Sequence, residues 1–167
     1  MGPIVHPTDF SPASQPAFDL AVDRAQRSRA PLVLVHVLNP MLPVVTDVSP
    51  PTYEGLRASL RRWAEARMHR LVQRAQEAGV RVMTMIVEGK EADAIARVAR
   101  VRHASQIVMG TRGRSGLTRL FLGSVAARVL AIGPCPVLTV RSRGRASTDG
   151  RPRAGRRARR PRGAARS

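Results

Sequence analysis

The sequence predicts an α/β protein in which helices cover both faces of a parallel β-sheet. Short aliphatic runs alternate along the chain with amphipathic segments of helical period, which is the pattern of successive β-α-β units. The clearest strand is Leu32–Leu38, an aliphatic run broken only by His36 and typical of a strand buried on both faces. With 43% apolar residues among 167, the chain is long enough to bury a core.

Five strands and four helices follow from the same pattern. Strands are predicted at 4–7, 32–38, 80–87, 106–109 and 136–140, and helices at 12–28, 53–78, 91–102 and 123–132. Ser11 and Pro12 suit the N-cap and first position of the first helix. Gly79 is the type of residue that ends a helix. The range 39–52 holds four prolines and is predicted to be a loop.

The net charge of +18 is unevenly distributed. Residues 141–167 contain eleven arginines and one acid, which gives +10, and the other 140 residues give +8. We therefore expect a folded domain at 1–141 and an arginine-rich, disordered tail at 142–167. Two interpretations of the tail stay open: a solvated low-complexity extension, or an electrostatic contact with nucleic acid or anionic lipid.

Several other classes of protein are disfavoured. No run of eighteen apolar residues exists, so no membrane-spanning helix is expected. The N-terminal segment, residues 1–8, is too short for a signal peptide and is interrupted by Pro3 and Pro7. Cys135 is the single cysteine, so it cannot form an intrachain disulfide, and we expect it to be a small buried hydrophobe. A cytoplasmic location is the resulting expectation.

Histidine and tryptophan have structural interpretations. The four histidines show no spacing typical of metal ligands, so we expect no metal site built from them. They are His6, His36, His69 and His103. Trp63 falls on the apolar face of the second helix and is predicted to lie in the core.

Two loops at the carboxyl ends of strands carry polar residues and glycines. The first follows the first strand and contains Pro7, Thr8 and Asp9; Asp9 could bind a ligand or cap the first helix. The second, 110–124, is rich in glycine and arginine and ends at a predicted helix N-terminus, where anions bind. It lacks the Gly-Lys-Ser of a Walker A loop. Its composition alone leaves open a phosphate cradle or a plain connection.

The spacing within the second loop resembles a known signature. Gly110-x-x-Gly113, nine residues and then Gly123-Ser124 is similar to the nucleotide-binding motif of the universal stress protein family. The segments PTDFSPAS, IVMGTRGRSGLTRLFLGSVAARVL and CPVLTVR resemble that family too, so the resemblance covers 4–141. It implies a five-stranded parallel sheet of order 3-2-1-4-5, the Rossmann-like fold of the adenine nucleotide alpha hydrolase type.

The resemblance also implies a ligand and a set of contacts. The ligand is ATP, or AMP or ADP, with any Mg²⁺ or Mn²⁺ carried by the phosphates. Asp9 would hydrogen-bond the nucleoside, and the backbone of Val37 would meet the base. The implied site residues are Pro7, Thr8, Asp9, Val37, Met109, Gly110, Arg112, Gly113, Gly123, Ser124 and Val125. Met109 and Gly110 would lie near the ribose. The phosphates would be surrounded by Gly113, Gly123, Ser124 and Val125.

The sequence departs from the family pattern at two positions and leaves the function open in part. His6 stands where an aliphatic residue is usual, and Ser105 stands where an acid is common. A nucleotide-dependent stress-response module, homodimeric through Val137–Val140, is the first interpretation. A slow ATP hydrolase is an alternative, although the phosphate loop holds no carboxylate or histidine to act as a base. A nucleic-acid-associated protein that acts through its tail is another.

Overall fold

The computed structural model describes residues 1–39, 50–111 and 122–141, and strands alternate with helices along them. The elements are β1 Ile4–Pro7, α1 Gln15–Ser28, β2 Leu32–Leu38, α2 Pro50–Glu77, β3 Val82–Glu88, α3 Glu91–Val101, β4 Gln106–Gly110, α4 Ser124–Ile132 and β5 Val137–Val140. Within these ranges, no helix is both long and apolar enough to cross a membrane. The predicted tail, 142–167, lies outside the described residues.

The five strands form one parallel sheet of order β3-β2-β1-β4-β5. The predicted α/β class and the strand order implied by the resemblance are both confirmed. β1 lies at the centre, where Ile4 is in register with Leu32 of β2 and with Gln106 of β4. Because every strand runs in the same direction, all five carboxyl ends lie at one edge of the sheet.

The two sides of β2 contribute to two separate hydrophobic clusters. Leu32 and Leu34 pack with buried residues of α1 and α2, whereas Val33 and Val35 pack with buried residues of α3 and α4. All four side chains are fully buried. Successive strand residues point to opposite faces, so a strand covered on both faces needs apolar residues throughout. This explains the continuous aliphatic run in the sequence.

The helix and strand boundaries differ from the predictions most clearly at the start of α2 and at the start of β3. α2 begins at Pro50, not at Tyr53, because proline is tolerated in the first turn of a helix; the predicted loop is therefore wrong for 50–52. The rest of that loop, 40–49, lies outside the described residues. Val80 belongs to the turn that closes α2, since its N–H donates to the carbonyl of Ala75, and β3 begins two residues later.

α1 begins after a 3₁₀ turn, and both α1 and α2 end at a residue in the left-handed conformation. The predicted first helix starts with a 3₁₀ turn, Pro12–Ser14, before α1 proper. Gly79 ends α2 in the left-handed conformation, with φ 74°, as the sequence predicts. Arg29 ends α1 in the same region, with φ 53°, although it is not a glycine.

His6 is fully buried in the central strand of the sheet. Its Nδ1–H donates to the carbonyl of Val108 at 2.8 Å, and its ring lies edge-on to Phe18 with centroids 5.8 Å apart. Burial lowers the pKa of His6 to about 4, against the opposing effects of the Val108 carbonyl and of Asp9 and Asp19. A neutral imidazole therefore occupies the position where the resemblance implies an aliphatic side chain.

We predict that His6 makes the protein sensitive to mild acid. Its pKa is about 4 when folded and about 6.5 when unfolded, so between these values the unfolded chain binds the proton preferentially. The free energy of unfolding should fall by about 3 kcal/mol as the pH drops through this interval. Urea unfolding of wild type and His6→Val at pH 7 and pH 4.5 measures the effect.

The valine variant should lose most of this pH dependence. His69→Gln is the matched control, because His69 is exposed on α2 and its replacement should leave the dependence as in wild type. If His6→Val loses as much stability as wild type between the two pH values, burial of His6 is not the cause.

Candidate functional site

A cavity of about 510 Å³ opens at the carboxyl edge of the sheet, where β1, β2 and β4 end and α3 and α4 begin. In an open α/β sheet, ligands bind at this edge, at the point where the strand order reverses, which here lies between β1 and β4. The volume is in the range of small-molecule sites, roughly 300–1,000 Å³. The cavity is therefore the candidate ligand site.

The structure brings most of the predicted site residues to this cavity. Its walls include Pro7, Thr8, Asp9, Val37, Met109, Gly110, Gly123, Ser124 and Val125. Arg112 and Gly113 lie outside the described residues. The roles assigned to these residues stay predictions, but their common location is what such a site requires.

A hydrogen-bonded turn after β1 holds Asp9. The N–H of Thr8 donates to the carbonyl of Val35 at 2.8 Å, which fixes the end of the strand. Oδ1 of Asp9 accepts two hydrogen bonds from Ser11, from its N–H at 3.0 Å and from its hydroxyl at 2.7 Å. Ser11 lies at the predicted N-cap position, but its hydroxyl bonds Asp9 and makes no cap hydrogen bond to the helix. The carboxylate of Asp9 is thus anchored within its own loop.

An aromatic cluster made of Phe10, His36 and Trp63 connects this turn to α2. The ring of Phe10 lies 4.4 Å from that of His36 and 5.4 Å from that of Trp63, between centroids. Nδ1–H of His36 donates to the carbonyl of Thr8 at 2.8 Å, so the histidine also bonds the loop. Phe10 has φ 61°, a left-handed conformation that is costly for a residue with a side chain.

The prediction that Trp63 lies in the core is wrong. Trp63 is 38% exposed, lines the cavity, and has the guanidinium of Arg67 5.0 Å above its ring. Leu56, on the same predicted face, is 45% exposed. The helical period correctly identifies the inward side of α2, but near its amino end that side meets the cavity mouth, and the core begins only at Ala64.

The amino end of α4 forms the opposite wall of the cavity. The N–H of Gly123 donates to the carbonyl of Thr111 at 2.7 Å, and the N–H of Thr111 donates to the carbonyl of Val140. These two bonds hold the start of α4 against the ends of β4 and β5. Gly123 is the N-cap and supplies no side-chain hydrogen bond. The N–H groups of the first helical turn are therefore available to an anion.

A polar pair closes another side of the cavity. Nδ2 of Asn39, just after β2, donates to Oε1 of Glu91, the first residue of α3, at 3.0 Å. The sequence interpretation missed both residues, although both line the cavity. The sequence indicates that Asn39 follows a strand and that Glu91 starts a helix. Their contact joins residues 52 apart in the chain, so only the folded structure shows it.

The remaining candidate groups lie away from the cavity or form no cluster. Cys135 is half-buried and packs against the α3/α4 side of the core. Burial raises the pKa of its thiol, which disfavours the reactive thiolate at neutral pH. Among the described residues, no group of three or more His, Cys, Asp and Glu side chains could hold a metal ion.

The parallel sheet of order 3-2-1-4-5 and the cavity at its switch point define a doubly wound α/β protein of the Rossmann-like kind, with a candidate ligand site at the carboxyl edge. The model of the universal stress protein family matches residues 1–141. The chain belongs to the universal stress protein family, as its loop spacing indicates.

Individual relatives agree with this assignment. A universal stress protein of Methanocaldococcus jannaschii is 35% identical over 138 residues, which cover 83% of this chain and 81% of the relative. Universal stress protein UspA from Lactobacillus plantarum has a similar structure, with a TM-score of 0.74 and 27% identity over 84% of this chain and 97% of that one. A universal stress protein solved in complex with cAMP has a TM-score of 0.62 and 27% identity, covering 84% and 96% of the two chains.

We predict that Phe10 stabilises the loop through its ring despite its backbone conformation. Phe10→Ala removes the ring contacts and keeps the left-handed strain, whereas Phe10→Gly removes both. The free energy of unfolding should decrease from wild type to the glycine variant and again, by about 1 kcal/mol, to the alanine variant. Urea unfolding at pH 7 measures all three. An alanine variant as stable as the glycine variant would contradict the left-handed conformation.

Proposed function

We propose that the protein binds an adenine nucleotide, ATP first among them, in the cavity at the carboxyl edge. The observation that carries the proposal is the juxtaposition of the start of α4 with the ends of β1 and β4, around one cavity of suitable size. Family membership supports it, as does the similar protein that was solved with cAMP. Binding would make the chain a nucleotide-dependent module of the cytoplasmic stress response.

The start of α4 is the phosphate end of the proposed site. A helix N-terminus combines unpaired N–H groups with the positive end of the helix dipole, so it attracts phosphate. Gly123 has no side chain to cover these groups, and Ser124 adds a hydroxyl beside them. Gly113 and Arg112 would complete the phosphate contacts, with Val125 at the base of the helix. A divalent cation, Mg²⁺ or Mn²⁺, would arrive on the phosphates.

The nucleoside would extend from α4 toward β2. The ends of β4 and β2 are two strand spacings apart, about 10 Å, with β1 between them. Met109 and Gly110 would lie near the ribose, Asp9 would accept a hydrogen bond from the nucleoside, and the backbone of Val37 would meet the base. The aromatic cluster supports this placement, because it fixes the loop that carries Asp9.

We propose that the site binds its nucleotide without rapid turnover. The loop 110–124, which the resemblance places at the phosphates, contains no carboxylate or histidine, and the carboxylates that line the cavity, Asp9 and Glu91, follow β1 and start α3. Oδ1 of Asp9 already accepts two hydrogen bonds from Ser11. A base that activates water beside a terminal phosphate would therefore have to come from outside that loop.

A second copy of the chain is the proposed partner. β5 is the last strand of the sheet, and its outer side pairs with no strand of the described residues. Its residues, Val137–Val140, are half-buried and apolar except for Thr139. An edge strand of this kind favours pairing with a second copy.

We predict that Gly123→Val weakens ATP binding at least tenfold without unfolding the protein. A branched side chain at the N-cap of α4 would cover the N–H groups that receive the phosphates. Isothermal titration calorimetry with ATP and Mg²⁺ should show binding by wild type and at least a tenfold weaker affinity, about 1.4 kcal/mol or more, for the variant.

Gly55→Val is the matched control. Gly55 is exposed on α2, and a Cβ atom added there meets no atom within 4 Å, so this variant should bind ATP as wild type does. The fluorescence of Trp63, the single tryptophan, gives a second readout because Trp63 lines the cavity. If folded wild type does not bind ATP, the proposed function is wrong. If Gly123→Val and Gly55→Val bind ATP with equal affinity, the phosphates do not bind at the start of α4.

A further inference from the structure

The end of the cavity next to β2 is lined by two helices that cover opposite faces of the sheet. On one side α2 contributes Leu60 and Trp63, and on the other side α3 contributes Glu91 and Ile95. Asn39, which follows β2, completes the lining. We call these five residues the β2 slot. A ligand group that enters the β2 slot meets side chains from both faces of the sheet.

The apolar side chains of the β2 slot suit a flat ring system. Trp63 and Leu60 are three residues apart on α2, so they lie on the same side of that helix. The rings of Trp63 and His36 are 6.1 Å apart between centroids, which places the indole beside the end of β2. Ile95, a core residue of α3, supplies apolar surface on the other side. Apolar and aromatic walls with a few polar groups are typical of sites that bind small organic ligands.

The two helices that start at the cavity differ in charge. The first turn of α4 carries no acidic residue, whereas the first turn of α3 carries Glu91 and Asp93. The unpaired N–H groups of a helix start attract phosphate, but a carboxylate beside them repels it. This difference directs the phosphates to α4 and leaves the β2 slot for an uncharged part of the ligand.

Glu91 gives the β2 slot an acceptor of hydrogen bonds. Asp93, in the same turn, pairs with Arg128. Among the residues that the structure describes, Glu91 forms no ion pair, and its Oε1 accepts a hydrogen bond from Asn39. The two oxygens of a carboxylate together accept about four hydrogen bonds and donate none, so the bond from Asn39 leaves capacity for others. The β2 slot therefore favours a ligand group that donates a hydrogen bond.

We propose that Glu91 is a specificity-determining residue, which accepts a hydrogen bond from the amino group of a purine base in the β2 slot. The inference rests on the proposed nucleotide site and adds to it the selection of the base. Val37, whose backbone would meet the base, precedes Asn39 by two residues. Adenine carries an amino group at position 6, and a purine without it leaves the carboxylate of Glu91 desolvated and without that donor, which costs affinity.

The test compares ATP with purine riboside 5′-triphosphate, which lacks only the 6-amino group of ATP. Isothermal titration calorimetry of the full chain with Mg²⁺ measures both affinities. Wild type should bind ATP about tenfold or more tightly than the analogue, because a hydrogen bond to a charged group is lost. Glu91→Ala should bind the two ligands with similar affinity. Glu91→Gln should also lose the preference, because Asn39 would donate to its amide oxygen and its NH₂ group would meet the amino group of the base.

Glu77→Ala is the matched control. Glu77 is exposed at the end of α2 and does not line the cavity, and its replacement removes the same charge as Glu91→Ala does. This variant should keep the preference of wild type for ATP. Thermal unfolding checks that each variant is folded, and Glu91→Gln, which keeps the size of the side chain, serves in place of an unstable alanine variant.

Three results with a nucleotide-binding wild type would overturn this inference and leave the nucleotide site intact. Equal affinity of wild type for ATP and the analogue would show that the amino group is not recognised. A preference for ATP over 2′-deoxy-ATP that disappears in Glu91→Ala would show that Glu91 contacts the sugar. Tighter binding of GTP than of ATP through Glu91 would show that the carboxylate accepts from guanine. If wild type binds no nucleotide, both the proposed function and this inference are wrong.

Discussion

The parallel pairing of β1 with both β2 and β4 is the constraint on which the rest of the structure depends. β1 has only four residues, yet it pairs with β2 over its whole length and with β4 through Ile4 and Val5. Since the chain leaves β1 toward one side of the sheet and enters β4 from the other, the strand order reverses here. A cavity at the carboxyl edge follows from this reversal, because the connecting helices diverge on opposite faces.

The same pairing separates two sets of polar and charged groups. The carboxyl edge brings together Asp9, the Asn39–Glu91 pair and the start of α4 around one cavity. At the opposite edge the chain turns from each helix into the next strand, with Arg29 after α1, Arg81 after α2 and Arg102 after α3. The core between the edges stays apolar, except that neutral His6 lies within it. Among the described residues other than glycine, positive φ occurs at Phe10 beside the cavity and at Arg29 and His103, which lie in the turns that close α1 and α3.

Most of the strands and helices could be predicted from the sequence, because each is encoded by the pattern of apolar residues within its own segment. A strand buried on both faces has to be apolar throughout, which identifies Leu32–Leu38 without further information. The strand order came from the resemblance of the glycine loop to a family, because periodicity says nothing about which strands are neighbours.

The prediction failed at Pro50, where proline starts a helix and does not belong to a loop. Helical spacing misled it at Trp63, because spacing cannot distinguish a core from a cavity wall. Contacts between distant residues, such as Asn39 with Glu91, require the fold itself.

A nucleotide in the proposed site would occupy the carboxyl edge of the sheet with its phosphates at α4. This placement can be tested by the amide chemical shifts of the ¹⁵N-labelled full chain, recorded during titration with ATP and Mg²⁺. We expect the largest changes at Thr8, Asp9, Gly110, Gly123 and Ser124, with little change at Arg29 and Arg102. Changes confined to the arginines of 142–167 or to Arg29, Arg81 and Arg102, with the amides of α4 unaffected, would contradict this placement.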